Sequence, residues 1–338
     1  MCFVYQPAIL LANFNLFKEN HQAIYSLNWL RGIASLMVCF FHVKKYIWST
    51  FNSNWILKSF EQGYLGVYIF FIVSGFVIPY SMFVKKYQIN SFWKYIAKRI
   101  VRIEPPYVVF VLLLLAWNYW LFHFRGQGPE YLYGANQFFL NITYLAPFFG
   151  VKWIIVIFWT LAVEFQFYIL TGLTYNLLFK NAPLRYIMMA ALVGLGCMIP
   201  ENYFTVFNYY VFFALGFQTF LFVVKKINWL EYLFTVIVGL TFIYYTVLNI
   251  ATLAALFTLI GMFFFNFKTK ASEFFGKISY SLYLTHGLTG GAIGMFTIKI
   301  FAPEIRFVIA IAGSIVFAFI YYLIIEKIFL KISKEIKY

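Results

Sequence analysis

The stretch LNWLRGIASLMVCFFHV, residues 27–43, is almost wholly apolar, yet it carries Arg31 and His42. Eleven residues at about 100° each complete three helical turns with about 20° left over. Both side chains therefore lie on one face of a helix, about 16 Å apart along its axis. Imidazole is the side chain best suited to moving a proton near neutral pH. The plainer reading is an arginine that snorkels to the inner surface and a histidine at the outer interface beside Lys44 and Lys45.

Further groups stand where lipid would penalise them, and ionisable residues inside a span are functional candidates by default. In KRIVRIEPPY, residues 98–107, Arg99 and Arg102 are three apart and share a helical face. Two adjacent guanidinium forks suit phosphate groups, although a basic stop-transfer cluster at the membrane edge would look the same. FWTLAVEFQFYIL, residues 158–170, places Glu164 and Gln166 in an aromatic helix, with Tyr168 one turn beyond Glu164 on its face. An ion pair with a cation on another helix is the structural alternative. GKISYSLYLTHG, residues 276–287, brings Ser279, Tyr280, Tyr283 and His286 into the start of another span. A hydrogen-bonded packing histidine accounts for His286 equally well. In GYLGVYIFFIVSGFVIP, residues 63–79, Gly66, Ser74 and Gly75 allow close helix approach or exposure of backbone to a ligand. NIT at 141–143 fits a glycosylation acceptor but is a short, common string.

The elements that must position these groups are set by composition. The 338-residue chain is 63% hydrophobic and 11% charged, against about 25% charged in soluble domains. The expected fold is an all-α membrane bundle of about ten transmembrane helices, with spans at 27–47, 63–84, 105–124, 154–178, 184–200, 204–224, 230–247, 249–267, 278–298 and 306–328. A weak break at VLNI, 247–250, separates two of them. Residues 1–26 form an N-terminal cytoplasmic or interfacial segment without a signal-peptide cleavage site, 27–330 the membrane domain, and 331–338 a basic cytoplasmic tail. With alternating loops, 18 of the 26 Lys and Arg fall on the side of the termini and 7 on the other, Arg31 lying within a span. That bias puts both termini in the cytoplasm of a multi-pass protein of the cytoplasmic membrane. The net charge of +15 then reflects topology and anionic lipid rather than nucleic acid. Cys2, Cys39 and Cys197 show neither metal nor disulfide spacing, and no metal site is expected.

Taken in order, these stretches resemble the membrane-bound acyltransferase-3 family. LNWLRGIASLMVCFFH is similar to that family's LDGLRGIAALLVVLFH, and GVYIFFIVSGFVI to its GVDLFFVLSGFLI. The Arg99-x-x-Arg102 pair precedes a double proline as the family's does. WTLAVEFQFYIL is similar to WSLSVEEQFYLL, matching Trp159, Glu164, Gln166, Phe167 and Tyr168, and GKISYSLYLTHGL to GRISYSLYLWHWP. Even Ile325 to Lys327 matches. Asn28, Tyr68, Phe165 and Thr285 depart from the family's acids and tryptophan, which leaves the substrate more open than the chemistry.

The resemblance implies transfer of an acyl group, usually acetyl from acetyl-CoA, to a hydroxyl of a sugar or cell-envelope glycan, with no permanently bound cofactor. In that reading Arg99 and Arg102, with Arg31, bind the donor's phosphates. His42 acts as general base or first takes the acyl group, and Glu164 orients or stabilises its imidazolium. Tyr168 or Ser74 hydrogen-bonds the oxyanion, and Trp159, Tyr283 and His286 belong to the substrate-binding set. Two alternatives fit the same residues: a transporter or flippase of an anionic lipid-linked sugar, which the lack of an internal repeat disfavours, and an acyl relay to a separate extracytoplasmic transferase.

Overall fold

The computed structural model describes residues 25–48, 58–128, 132–247, 249–265 and 267–338. The segment expected over 1–26 therefore lies almost entirely outside the described residues. Among these residues every regular element is a helix. The helices are α1 (Tyr25–Ile47), α2 (Gly66–Val84), α3 (Phe92–Arg125), α4 (Ala135–Ile142), α5 (Phe158–Lys180) and α6 (Ala182–Met198). They continue as α7 (Tyr210–Val223), α8 (Trp229–Thr246), α9 (Asn249–Phe264), α10 (Lys270–Thr297), α11 (Pro303–Tyr321) and α12 (Lys327–Glu335).

Six stretches are long and apolar enough to cross a membrane: Tyr25–Ile47, Phe60–Val84, Ile89–Arg125, Val206–Val223, Trp229–Thr246 and Pro303–Glu335. The chain is thus a multi-pass membrane protein. Each of the ten expected segments coincides with a helix, and the break after Thr246 falls where VLNI places it. Helices α6 and α9 are apolar but shorter. Helices α5 and α10 are long enough at 23 and 28 residues, but their polar side chains keep them below the apolarity of the six.

The largest disagreement with the sequence concerns α3. The double proline was expected to open a span at 105, after a basic loop. Instead, Pro105 and Pro106 lie inside a continuous 34-residue helix that begins at Phe92. Two prolines withhold the N–H groups that would bond the carbonyls of residues 101 and 102, but they do not by themselves reverse the chain. At 1.5 Å per residue α3 is about 50 Å long, well beyond the hydrocarbon core of about 30 Å. Arg99 and Arg102 are therefore helical residues rather than loop residues. Counting loop charges also misjudges Lys44, Arg185 and Arg306, which with Arg99 are buried cations. Setting those four aside leaves 16 against 5, so the excess of cations on one set of alternating loops persists in the sequence.

The chain divides into two compact units, 1–80 with 211–283, and 81–210 with 284–338. In the first, α1 packs against α10 through glycines: a Cβ on Gly32 would lie 2.8 Å from that of Phe275, and one on Gly276 2.7 Å from that of Asn28. Helices α2 and α7 meet backbone to backbone. A Cβ on Gly75 would lie 2.2 Å from the carbonyl oxygen of Phe213, and one on Gly216 2.0 Å from that of Ile72. The small residues of the 63–79 stretch thus serve close packing.

In the second unit, α5 begins beside the middle of α3, with the Phe158 ring edge-on to Tyr107 at 4.8 Å. The preceding segment is held at that level by Asn141. Its amide nitrogen donates to the carbonyls of Gln137 and Lys152 (2.8 and 3.3 Å), and its side-chain oxygen accepts the Ile154 N–H (2.9 Å). Its own carbonyl accepts the Tyr107 hydroxyl (3.1 Å). Irregular backbone at such a level requires that its polar groups be satisfied by protein. Asn141 is fully buried, so the NIT string is a structural clamp and not a glycan acceptor.

The α2–α7 contact gives the first prediction. Gly216→Val must push the two helices apart, an overpacking cost of about 1–3 kcal/mol. Thermal unfolding in detergent should show a melting point several degrees lower. Gly194→Ala, where a Cβ meets nothing within 4 Å, should leave it unchanged. Equal melting of Gly216→Val and wild type would show that the contact is looser than described.

Candidate functional site

Helix α1 carries Arg31 and His42 on the stripe 31, 35, 38, 42. The two residues between them, Ser35 and Val38, are 0% and 1% exposed, while Arg31 and His42 are each half-buried. The stripe is thus protein-facing at its centre. An aromatic series leads away from the histidine: Phe41 meets Tyr64 edge-on at 5.9 Å, Tyr64 meets Tyr68 at 6.5 Å, and Tyr68 stacks on Phe212 at 4.3 Å. Ser74 is half-buried on α2, and the Tyr283 ring on α10 meets Phe70 edge-on at 5.5 Å. Lys44 is not the outer-loop charge expected. Its ammonium lies 2.6 Å from the Glu61 carboxylate, a closed ion pair two residues beyond His42. A narrow cleft in the same unit, between Ser26 and Leu27 of α1, Phe76 of α2, Thr219 of α7 and Met262 of α9, has no room for a water molecule, and neither Arg31 nor His42 lines it.

In the second unit three expected residues meet. Arg99 is 5% exposed; its Nη2 donates to the Ser81 hydroxyl at 2.9 Å, and its guanidinium lies 5.4 Å from the Tyr95 ring centre and 5.5 Å from that of Tyr168. The Tyr168 hydroxyl donates to Glu164, one turn back on α5. Arg99, Tyr168 and Glu164 thus form one network between α3 and α5. No carboxylate lies within 4 Å of the Arg99 guanidinium among the described residues, and its Nε has no hydrogen-bond partner. Arg102, half-buried, follows one turn along α3.

The other candidates separate by role. Gln166 holds the loop after α6: its side-chain oxygen accepts the Val206 N–H at 2.8 Å and its nitrogen donates to the Phe204 carbonyl at 3.3 Å. Trp159 stacks on Phe204 and Tyr209 at 5.2 and 4.9 Å. His286 is fully buried on α10, three residues before Thr289, whose hydroxyl donates to Ser314 on α11 at 2.9 Å. Ser81, which seats Arg99, and Asn141 were not singled out as site residues. A serine at a helix end and an asparagine in an apolar run carry no periodic signal, and only the tertiary contact gives either its meaning.

These placements predict different costs for neighbours on α5. Gln166→Leu leaves two backbone groups of the 204–206 loop unsatisfied and should lower the melting point, at about 1–3 kcal/mol per group. Glu164→Gln keeps an oxygen to accept the Tyr168 hydroxyl and should melt with wild type. A reversed order in a thermal-shift assay would mean that Glu164, not Gln166, is the structural member.

Comparison with known proteins agrees with the motif reading. Residues 24–323 match the acyltransferase-3 family, described as an acyltransferase domain. The chain is 24% identical over 194 residues, 54% of its length, to the peptidoglycan O-acetyltransferase OatA of Listeria monocytogenes, covering 29% of that protein. It is 26% identical over 209 residues, 56% of its length, to the O-acetyltransferase OatA of Staphylococcus aureus, covering 31%. It is 30% identical over 165 residues, 45% of its length, to the putative peptidoglycan O-acetyltransferase YrhL of Bacillus subtilis, covering 24%. The chain therefore spans less than a third of the length of these relatives. No solved structure matches.

Proposed function

The chain belongs to the acyltransferase-3 family, and on that premise we propose that it is an integral O-acetyltransferase of the cytoplasmic membrane. In this reading ten helices cross the membrane with both termini inside. The donor is acetyl-CoA and the acceptor a hydroxyl of a cell-envelope glycan. Peptidoglycan is the first candidate, because it is the substrate in the printed names of relatives in Listeria monocytogenes and Bacillus subtilis.

The observation that carries the reading is the buried Arg99. A guanidinium out of water needs compensation, and here its direct partners are neutral, a serine hydroxyl and two tyrosine faces, with the Glu164 carboxylate acting on it from beyond Tyr168. An anion is the missing partner, and the phosphates of an acyl-CoA supply it from the side on which Lys85, Lys86, Lys94 and Lys98 cluster. Arg102 extends the same anion-binding face. Arg31 gives α1 a cation of its own for the same donor.

Acetyl transfer itself then needs a base. His42 removes the proton from the acceptor hydroxyl, the oxygen bonds to the thioester carbon, and the C–S bond breaks to release coenzyme A, which takes up a proton. Should His42 instead take the acetyl group first, the same bonds form and break in two steps. Tyr168 or Ser74 is available to hydrogen-bond the developing oxyanion. Trp159, Tyr283 and His286 complete the proposed substrate-binding set.

Membranes containing the protein, supplied with acetyl-CoA labelled in its acetyl group, should transfer label to a glycan. His42→Ala at equal abundance should reduce the rate by about 100-fold or more. Arg99→Lys keeps the charge but loses the planar fork and should raise KM for acetyl-CoA more than it lowers kcat. Undiminished labelling by His42→Ala would remove the histidine from the chemistry. An absence of labelling by wild type, with movement of an intact lipid-linked sugar, would favour transport instead.

A further inference from the structure

A second group of cations lies close to Arg99 and shares Tyr95 with it. Helix α2 ends in a turn in which the Tyr87 N–H bonds the Met82 carbonyl (2.9 Å) and the Lys86 N–H bonds that of Phe83 (3.0 Å), with Lys86 left-handed at φ 52°. That turn sets Lys85 and Tyr87 beside Tyr95 and Lys98 of α3. The Tyr87 hydroxyl is tied to the Gly172 carbonyl at 2.8 Å, which fixes its ring. Residues 336–338, after α12, run into this corner. Lys98 donates to the Ile336 carbonyl at 2.9 Å, and the Tyr338 ring meets Tyr87 and Tyr95 edge-on at 6.1 and 5.5 Å. The Lys85 ammonium sits 4.3 Å from the centre of the Tyr338 ring, that of Lys98 6.0 Å.

Two features mark this corner as a site. Lys85 lies within hydrogen-bonding reach of Lys98 and feels Arg99, yet among the described residues no carboxylate is within 4 Å of any of the three. Partial desolvation, then Lys98, then Arg99, bring the Lys85 amine down from its usual 10.5 to about 8. Three like charges with no acid within 4 Å favour the approach of an anion. The ring that fills the slot also fits it incompletely, because the Tyr338 hydroxyl is buried without a hydrogen-bond partner.

We infer that this corner is the nucleotide subsite of the acyl donor and that Tyr338 occupies it in the unliganded protein. The purine takes the place of the phenol between Tyr87 and Tyr95, and the phosphates neutralise Lys85 and Lys98. The inference rests on the acyl-CoA reading above. An anionic lipid headgroup would satisfy the cations but has no use for an aromatic slot.

The test is KM for acetyl-CoA and for acetyl-pantetheine, which lacks the nucleotide, together with equilibrium binding of adenosine 3′,5′-bisphosphate to the purified protein. Tyr338→Ala empties the slot and should lower KM for acetyl-CoA about 3- to 10-fold by abolishing self-occupancy, while leaving KM for acetyl-pantetheine unchanged. Tyr338→Phe keeps the ring and removes the unsatisfied hydroxyl, so the slot should stay filled and KM for acetyl-CoA should not fall below that of wild type. Lys85→Ala should weaken bisphosphate binding on the order of tenfold. With Lys98, Arg99, Tyr87, Tyr95 and Tyr338 around it, Lys85 is the group that discharges near pH 8. Bisphosphate affinity should therefore fall from pH 7 to 9, and Lys85→Arg should flatten that slope.

The inference is overturned if Tyr338→Ala leaves KM for acetyl-CoA unchanged, or shifts both donors alike. It is also overturned if phosphatidylglycerol vesicles, and not the bisphosphate, respond to Lys85→Ala. Bisphosphate binding with no acetyl transfer by wild type would defeat the acetyltransferase reading while keeping the subsite. Transfer without bisphosphate binding would do the reverse.

Discussion

A chain with so little charge can bury a cation only where something compensates it, and this constraint organises the molecule. Among the described residues four cations are buried within helices, and each is handled differently. Lys44 has a carboxylate, Glu61, at 2.6 Å. Arg306 donates to the Gly294 carbonyl at 2.8 Å, and Arg185 lies over the Tyr186 ring at 5.3 Å, although the Nε of each, like that of Arg99, and the Nη1 of Arg185 have no hydrogen-bond partner. Among the described residues the direct partners of Arg99 are a hydroxyl and two tyrosine faces, with Glu164 beyond Tyr168. A closed ion pair such as Lys44–Glu61 has little left to offer a ligand. Arg99, held in place by neutral groups and reaching Glu164 only through Tyr168, is the cation on which the donor-binding proposal rests.

The surrounding structure follows from keeping that arginine fixed. Helix α3 runs on past two prolines, so Arg99 and Arg102 stand on a rigid element rather than a loop. Helix α5 begins halfway along α3, and Asn141 satisfies the irregular backbone that leads into it. That arrangement brings Tyr168 under Arg99 and leaves its hydroxyl on Glu164. Gln166 then secures the far side of α5 by bonding the 204–206 loop. Polar residues in one short motif thus divide between holding the helix and holding the cation.

Much of this was legible in the sequence, in proportion to how local each feature is. The helices were readable because apolar run length depends on nothing beyond the run. The stripe of Arg31 and His42 was readable from helical period alone, and the structure buries Ser35 and Val38 between them. The start of α3 was not readable, because proline chemistry argues for a boundary that tertiary support overrides here. Loop charges escape a sequence count for a related reason: Lys44 is buried in an ion pair with Glu61, 17 residues away. The link from Arg99 to Glu164 passes through Tyr168, across a contact between helices that no spacing rule contains. The Lys85 corner is the extreme case, since it joins residues 85 and 338.

The account turns on Arg99 being the seat of an acyl donor's phosphates. A structure of the protein with coenzyme A bound tests this most directly. The account predicts phosphate oxygens within about 3 Å of the Arg99 or Arg102 guanidinium, with Tyr168 still bonded to Glu164. Coenzyme A seated away from α3, with Arg99 keeping only Ser81 and the tyrosine rings as partners, would contradict it.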